Sequence, residues 1–269
     1  MFQTDEYITL TRLILQAAPA VRIFLLGTTQ AKHRTASIFT SDTLQNETKE
    51  HYYVLVLVKR NREASYNCVQ EKIEAVCFPV SPVTAIVLDF EQFNSWLSEG
   101  HPFACRVTAK ALVLFEDMSM SLADALAVDC EAEKKARETA YSQGLNKVEE
   151  FLAGVDLYRI REQNKMAAFM LHQAAESALL TILKISLGLT VNSHNLDKLA
   201  RYCSLATSSV ADILKRNSEN EKRLFQLLQR AYIETRYRED YYINTPDLLN
   251  ITGKIRLLQE VLISLKCYT

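Results

Sequence analysis

The sequence contains little glycine and proline, six and five residues among 269, so long flexible linkers are not expected. Its six cysteines contain no C-x-x-C pair, and their spacing suits no zinc site. A chain of this length does not need disulfides, so we interpret the cysteines as reduced, mostly buried thiols of a cytoplasmic protein. These cysteines are Cys68, Cys77, Cys105, Cys130, Cys203 and Cys267.

Long apolar runs and a dominant charge are also missing. No apolar run reaches the ~18 residues of a membrane span, and the N-terminus has early acidic residues and no apolar signal core. The net charge is −1, with 11 basic and 14 acidic residues in 1–125 (−3) and 20 and 18 in 126–269 (+2). Neither half has the positive field of a general duplex-DNA binder. The 48% hydrophobic and 23% charged residues are typical of a soluble globular protein.

The first 120 residues alternate between strand and helix patterns. Apolar and β-branched runs predict four buried strands, with a central one at 51–58; the strands are 21–27, 51–58, 83–89 and 111–117. Helical spacing predicts helices at about 5–16, 65–77, 91–100 and 101–110. Thr4 is expected to cap the first helix. Gly27 is expected to end the first strand in a polar turn with Thr28, before a helical turn around 36–39.

Residues after the segment 118–131 are predicted to be helical throughout. One stripe consists of Ala140, Leu145, Val148, Leu152 and Val155. A central apolar helix ends at Gly188, and Ser218 to Glu221 form a capping box for a helix running to about Tyr242. Another helix starts at Thr245-Pro246. The expected fold is α+β with two domains: a small α/β domain at 1–120, a linker at 121–131, and an all-α antiparallel bundle at 132–269.

Two segments of the bundle resemble the HEPN family, the nucleotide-binding helical domains of higher eukaryotes and prokaryotes. The segments are FMLHQAAESAL (169–179) and SHNLDKLARYC (193–203), with YIETRYREDYY (232–242) as a third similarity. The first domain is similar to the nucleotidyltransferase-like domain that often precedes a HEPN bundle. That similarity consists of FLLG-Thr28, SIF, HYYVLVLV and VTAIVLD in this order.

The resemblance to a nucleotidyltransferase implies a catalytic pair that this chain lacks. Such enzymes hold two Mg²⁺ ions with two carboxylates one residue apart on a strand, and magnesium requires hard oxygen ligands. Residues 51–58 contain no carboxylate, and Glu50 alone cannot supply an alternating pair. Asp89 could match a third family carboxylate, but strand-end or helix-capping use is the simpler interpretation. We therefore expect a degenerate domain without metal or cofactor.

The resemblance also implies a ribonuclease motif that is missing. Ribonuclease-type HEPN members carry an arginine followed four to six residues later by a histidine, for phosphate stabilisation and proton transfer. No arginine of this chain has a histidine at that spacing, and Arg236 is followed by Tyr237, Arg238, Glu239, Asp240 and Tyr241. Tyrosine has an ordinary pKa of about 10 and is a poor base at neutral pH.

Polar residues remain as candidates for ligand binding. One interpretation is architectural: His172 pairs with Glu176 one turn away, residues 193–195 cap a helix, and residues 236–240 form a solvated face or an ion-pair network. The other is a groove for the phosphate or base of a nucleotide, with Tyr232, Tyr237, Tyr241 and Tyr242 as stacking or packing residues. The candidates are Gly27, Thr28, His172, Glu176, His194, Asn195, Arg236, Asp240 and Tyr241.

We therefore expect a protein that binds a nucleotide, an RNA or a protein partner without catalysis. The resemblance implies a homodimer formed through the helical bundle. One alternative is a HEPN-type ribonuclease of a toxin–antitoxin or defence system that uses Arg236, Asp240 and Tyr241, or His172 or His194 from another helix. Another alternative is a structural interaction module. No membrane association is expected.

Overall fold

The computed structural model describes residues 5–35, 45–59 and 65–268. The chain divides into two compact units, Met1–Val128 and Asp129–Thr269. The first is a mixed α/β unit with a small sheet, and the second is helical. The expected cap at Thr4, the expected helical turn at 36–39 and the segment SIF (37–39) lie outside the described residues.

The first unit alternates helices and strands much as its apolar runs predict. In chain order its elements are α1 (Asp5–Ala17), β1 (Ala20–Thr35), β2 (Gln45–Val58), α2 (Tyr66–Cys77), β3 (Val83–Asp89), α3 (Phe90–Ser98), α4 (Pro102–Lys110) and β4 (Leu112–Glu116). The strand order is β3-β2-β1-β4. β2 and β3 are parallel, which requires the crossover that α2 provides, and the other pairs are antiparallel.

The two faces of the sheet are covered by different helices. Alternation along β1 sends Ile23 to one face and Phe24 to the other. Ile23 joins a buried cluster with Ile14 of α1 and Ile73 of α2. Phe24 packs against Phe93 of α3, with ring centroids 6.1 Å apart. The central position predicted for residues 51–58 is confirmed, because β2 has a strand on each side.

Two predictions about this sheet were wrong. β4 is an edge strand in which only Leu114 is buried, whereas Leu112 and Val113 are 36% and 38% exposed. The first strand does not end in a turn at Gly27. It continues to Thr35, with Gly27 opposite Tyr53 next to a β-bulge. Hydrogen bonding to β2 extends this strand, so an apolar pattern does not mark its second half.

The second unit is built around one apolar helix. Its elements are α5 (Cys130–Ile160), α6 (Asn164–Leu187), α7 (Leu196–Cys203), α8 (Ser209–Ile213), α9 (Glu219–Tyr237) and α10 (Thr245–Ser264). α6 contacts α5, α7, α9 and α10. Gly144 of α5 faces Thr181 of α6, and Gly154 faces Met170. Partner numbers fall along α6 as they rise along α5, so the two helices are antiparallel. Of the predicted stripe on α5, Leu145 is only half-buried.

Capping residues define the ends of these helices as expected. Gly188 ends α6 in the left-handed conformation with a φ of 74°. The predicted capping box at Ser218 and Glu221 is confirmed. However, α9 ends at Tyr237 and not at about Tyr242.

Tyr241 explains the early end of α9. Its ring is buried, and its hydroxyl donates to the Leu227 carbonyl at 3.0 Å. In a continued helix these residues would be separated by about 21 Å along the axis. The chain must therefore fold back onto α9 after Tyr237.

α6 is the only helix among the described residues that is long and apolar enough to cross a membrane by length and composition. About 61% of its apolar window is buried inside the protein. This burial is what the core helix of a helical bundle requires.

Candidate functional site

Three segments of the helical unit meet at the ring of Tyr232. His172 of α6 stacks on this ring at a centroid distance of 5.2 Å. His194, from the turn before α7, stacks on it at 4.2 Å with 19° between the ring planes. We call Phe169, His172, Glu176, His194, Tyr232 and Arg236 the Tyr232 cluster.

The side chain of Gln229 in α9 holds the backbone of the turn that carries His194. The side chain of Gln229 accepts a hydrogen bond from the Leu196 amide at 2.8 Å and donates one to the His194 carbonyl at 3.3 Å. Asn195 caps α7 by accepting from the Lys198 amide at 3.1 Å. The turn is thus attached to α9 on one side and to α7 on the other, which fixes the position of His194.

Glu176 pairs with the histidine of the turn more closely than with the histidine of its own helix. Its carboxylate lies 3.0 and 3.1 Å from Nδ1 of His194, whose side chain is half-exposed. The separation from Nδ1 of His172 is 3.7 Å, which is too long for a hydrogen bond. The predicted proximity of His172 and Glu176 is present, but the main partner of Glu176 is His194.

His172 has no exposed side-chain surface. This burial disfavours the charged imidazolium and lowers the pKa of His172 to about 4. The charges of His194 and Arg236 lower it further, whereas the backbone of His194 opposes the shift. His172 is therefore neutral at physiological pH.

Arg236 is fixed by aromatic rings. Its Nε donates to the Tyr232 carbonyl at 2.9 Å. Its guanidinium carbon lies 4.5 Å from the ring centroid of Tyr232, 5.3 Å from that of Tyr237 and 5.6 Å from that of Phe169. These are cation–π distances.

The charge of Arg236 has no carboxylate partner within the part of the chain that the structure describes. Its neighbours differ: Arg230 and Arg238 both form ion pairs with Glu234. The terminal nitrogens of Arg236 therefore remain available to an anion beside the half-exposed His194. An arginine with an unpaired charge and a fixed orientation is suited to binding a phosphate or a carboxylate.

Several predicted site residues lie outside the Tyr232 cluster. Tyr241 is buried, and burial raises the pKa of its hydroxyl far above the ordinary value. Asp240 is exposed, and its charge acts on Arg230. Asn195 follows His194 directly, but its side chain is used for helix capping.

Two residues of this site, Gln229 and Phe169, were not predicted from the sequence. Gln229, Tyr232 and Arg236 follow i, i+3, i+7 spacing and so share a face of α9. That spacing could have identified Gln229 as part of the same surface. Phe169, within the segment FMLHQAAESAL, is distinguished in the sequence only by being apolar. An apolar residue at helical spacing can be a core residue or can contact an arginine through its ring, and the sequence does not separate the two.

The predicted positions of the first unit lie in a strand and at a helix start among residues 5–35, 45–59 and 65–128. Gly27 and Thr28 lie within β1, opposite Tyr53 and Tyr52. Glu50 accepts hydrogen bonds from Tyr52 and Gln30. No group of three His, Cys, Asp or Glu residues suited to a metal ion occurs within 5–35, 45–59 and 65–268.

The capping role expected of Asp89 is confirmed. Its carboxylate accepts from the Gln92 amide at 2.9 Å at the start of α3. The same carboxylate accepts from the Tyr66 hydroxyl at 3.1 Å. Both oxygens of Asp89 therefore have structural partners.

Comparison with known families identifies the helical unit. Residues 141–262 match the HEPN domain family, which confirms the resemblance carried by the segments 169–179 and 193–203. The match includes every residue of the Tyr232 cluster and does not extend to the first unit. A comparison with curated proteins finds no significant match.

Proposed function

We propose that this chain, whose residues 141–262 form a HEPN domain, is a non-catalytic binding protein for a nucleotide or RNA. One observation carries the proposal. Arg236 is held by three aromatic rings and has no described carboxylate partner, while the half-exposed His194 stacks on the same Tyr232 ring. The ligand group that suits this arrangement is a phosphate.

The chemistry of binding follows from the atoms that remain available. The Nε of Arg236 is already bonded to the Tyr232 carbonyl, so its terminal nitrogens would donate to phosphate oxygens. Nδ1 of His194 faces Glu176, which leaves Nε2 of the exposed ring edge for the ligand. The ring of Tyr237 is 76% exposed next to Arg236 and would stack on a base.

We propose that the first unit is a nucleotidyltransferase-like domain that has lost metal-dependent transfer. The helix–strand–strand–helix–strand order from α1 to β3 supports the resemblance. The loss is supported by the absence of carboxylates from residues 51–58. Asp89, the possible third carboxylate, is used to cap α3 and to bind Tyr66.

Isothermal titration with AMP, ATP, GTP and short single-stranded RNA tests the binding proposal. We expect the wild-type chain to bind at least one of these ligands and Arg236→Ala to bind it about 10- to 100-fold more weakly, because a hydrogen bond to a charged group contributes about 1.5–3 kcal/mol. Arg238→Ala is the matched control, since Arg238 pairs with Glu234 and should leave affinity unchanged. Absence of binding to all four ligands would refute the proposal.

RNA cleavage is a second candidate, and one contact favours it. Glu176 orients the half-exposed His194, which is the arrangement of a general base held by a carboxylate. Labelled tRNA and mRNA should be incubated with the wild type, Arg236→Ala and His194→Ala. Cleavage at background level by all three proteins would exclude this candidate. Cleavage by the wild type that either substitution abolishes would replace the binding proposal with catalysis.

A further inference from the structure

A groove of about 190 Å³ lies between α5 and α6 in the HEPN domain. Gly144 and Thr181 are buried at its base, and the hydroxyl-bearing residues Ser177 and Thr190 contribute to its lining. Lys147 and Lys184 are exposed residues that also line it, one from each helix. The groove therefore combines two cations with uncharged hydrogen-bonding groups.

The two lysines have no carboxylate partner in the part of the chain that the structure describes. Neither ammonium group forms an ion pair with a carboxylate among the described residues, whereas Lys215 pairs with Glu221 and Lys222 with Glu219. Two like charges that share a groove raise the local concentration of anions. Lysines serve as point charges for phosphates.

The groove and the Tyr232 cluster are connected through shared elements. Ser177, which lines the groove, follows Glu176 in α6. Thr190 belongs to the same connection between α6 and α7 as His194. Lys184 follows His172 by twelve residues, which is about 18 Å along the helix axis. That distance exceeds the length of a nucleoside monophosphate and suits a strand of several nucleotides.

We infer that this groove holds a backbone phosphate of single-stranded RNA whose neighbouring nucleotides contact the Tyr232 cluster. The inference rests on the proposed binding function and names its ligand class: an RNA strand rather than a mononucleotide. Lys147 and Lys184 neutralise the phosphate. Ser177 and Thr190 offer hydroxyl groups to phosphate oxygens or to a ribose 2′-hydroxyl.

The test compares a strand with a mononucleotide in the full chain. Fluorescence anisotropy with a labelled RNA of about 12 nucleotides, at several salt concentrations, measures affinity and its salt dependence. Titration calorimetry with AMP measures occupancy of the Tyr232 cluster alone. The variant is the double substitution Lys147→Gln and Lys184→Gln. The control is Lys134→Gln with Lys135→Gln, which removes the same charge from exposed positions of α5 that do not line the groove.

We expect the variant Lys147→Gln, Lys184→Gln to bind RNA about tenfold more weakly than the wild type. The slope of the logarithm of its binding constant against the logarithm of the salt concentration should be smaller in magnitude by about 0.7 for each phosphate that it no longer neutralises. Its affinity for AMP should be unchanged, and the control should match the wild type in both assays. Equal RNA affinity and equal salt slope in the groove and control variants would overturn the inference and leave the proposed function intact. A wild-type chain that binds no RNA would overturn the inference as well, and absence of binding to AMP, ATP and GTP in addition would remove the proposed function.

Discussion

At the scale of single residues, the neutral state of His172 is the most consequential feature of the Tyr232 cluster. Its imidazole is enclosed by α6, by α9 through Tyr232 and by the turn that carries His194. A proton on this ring would add a buried positive charge near His194 and Arg236. The Glu176 carboxylate lies 3.7 Å from Nδ1 of His172 and does not form a hydrogen bond with it. The folded protein therefore contains the neutral ring. This preference lowers the free energy of unfolding only at acidic pH, where the unfolded chain becomes protonated.

The expected consequence is a loss of stability as pH falls from about 6.5 to about 4. In this window the unfolded chain protonates His172 and the folded chain does not, so acid favours unfolding. The shift corresponds to a decrease in the free energy of unfolding of about 3 kcal/mol between pH 7 and pH 4. Urea unfolding followed by circular dichroism at both pH values, for the wild type and His172→Gln, measures it.

The glutamine variant is neutral throughout this range, so its unfolding free energy should fall by about 3 kcal/mol less than that of the wild type. The other titratable groups are the same in both proteins, so their contributions to the pH dependence of the unfolding free energy cancel in the comparison. Equal pH dependence in the two proteins would show that His172 does not resist protonation.

The sequence predicted the local contacts of this cluster and not the long-range ones. His172 and Glu176 are one helical turn apart, so their proximity follows from periodicity. Tyr232 lies 60 residues after His172, and its selection from four candidate tyrosines depends on how α9 packs against α6. Tyr241, another of the four, is instead buried at the fold-back after α9.

At the scale of elements, two glycines inside helices have opposite surroundings. Gly144 lies in α5, where a β-carbon would approach Oγ1 of the buried Thr181 to 2.1 Å. Gly253 lies in α10 and has nothing within 4 Å of the same position. Glycine in a helix interior costs about 1 kcal/mol relative to alanine. Of these two glycines, Gly144 is the one whose cost is balanced by close packing between helices.

Alanine substitutions should therefore have opposite effects at the two positions. Gly144→Ala should lower the free energy of unfolding by up to about 2 kcal/mol, because overpacking costs about 1–3 kcal/mol and the gain in helix propensity returns about 1 kcal/mol. Gly253→Ala should raise it by about 0.5–1 kcal/mol. Chemical denaturation of both variants checks the signs. In a Thr181→Ala background the destabilisation at Gly144 should shrink or reverse, and an unchanged value would contradict the steric explanation.

Helix ends and strand ends differ in how well the sequence predicted them. Ser218, Glu221 and Gly188 act through local geometry, and their predicted positions are confirmed. The end of α9 depends on the burial of Tyr241 against Leu227, and the second half of β1 depends on pairing with β2. Both are non-local, which is why periodicity misplaced them.

At the scale of the whole molecule, the helical unit contains a complete core and both candidate binding regions. Leu171, Ile182, Leu228, Ile255 and Leu258 are buried within it. The Tyr232 cluster and the lysine-lined groove both belong to residues 140–236. The segments that carry the HEPN resemblance lie in this unit, because α6 and its capped turns retain a recognisable pattern. The first unit resembles a known domain only in the order of its elements, and residues 51–58 contain no carboxylate.

A fragment that begins at Val128 should therefore fold and bind without the first unit. Asp129 caps α5 by accepting from the amides of Glu131 and Ala132, so a fragment that starts one residue before this cap preserves the native helix start. Urea unfolding of residues 128–269 should show one cooperative transition. The affinity of this fragment for AMP should equal that of the full chain, because the residues proposed to bind phosphate all lie within the fragment. A fragment that unfolds without cooperativity would show that the core of the helical unit is insufficient. A folded fragment with weakened AMP binding would instead place part of the ligand site in the first unit.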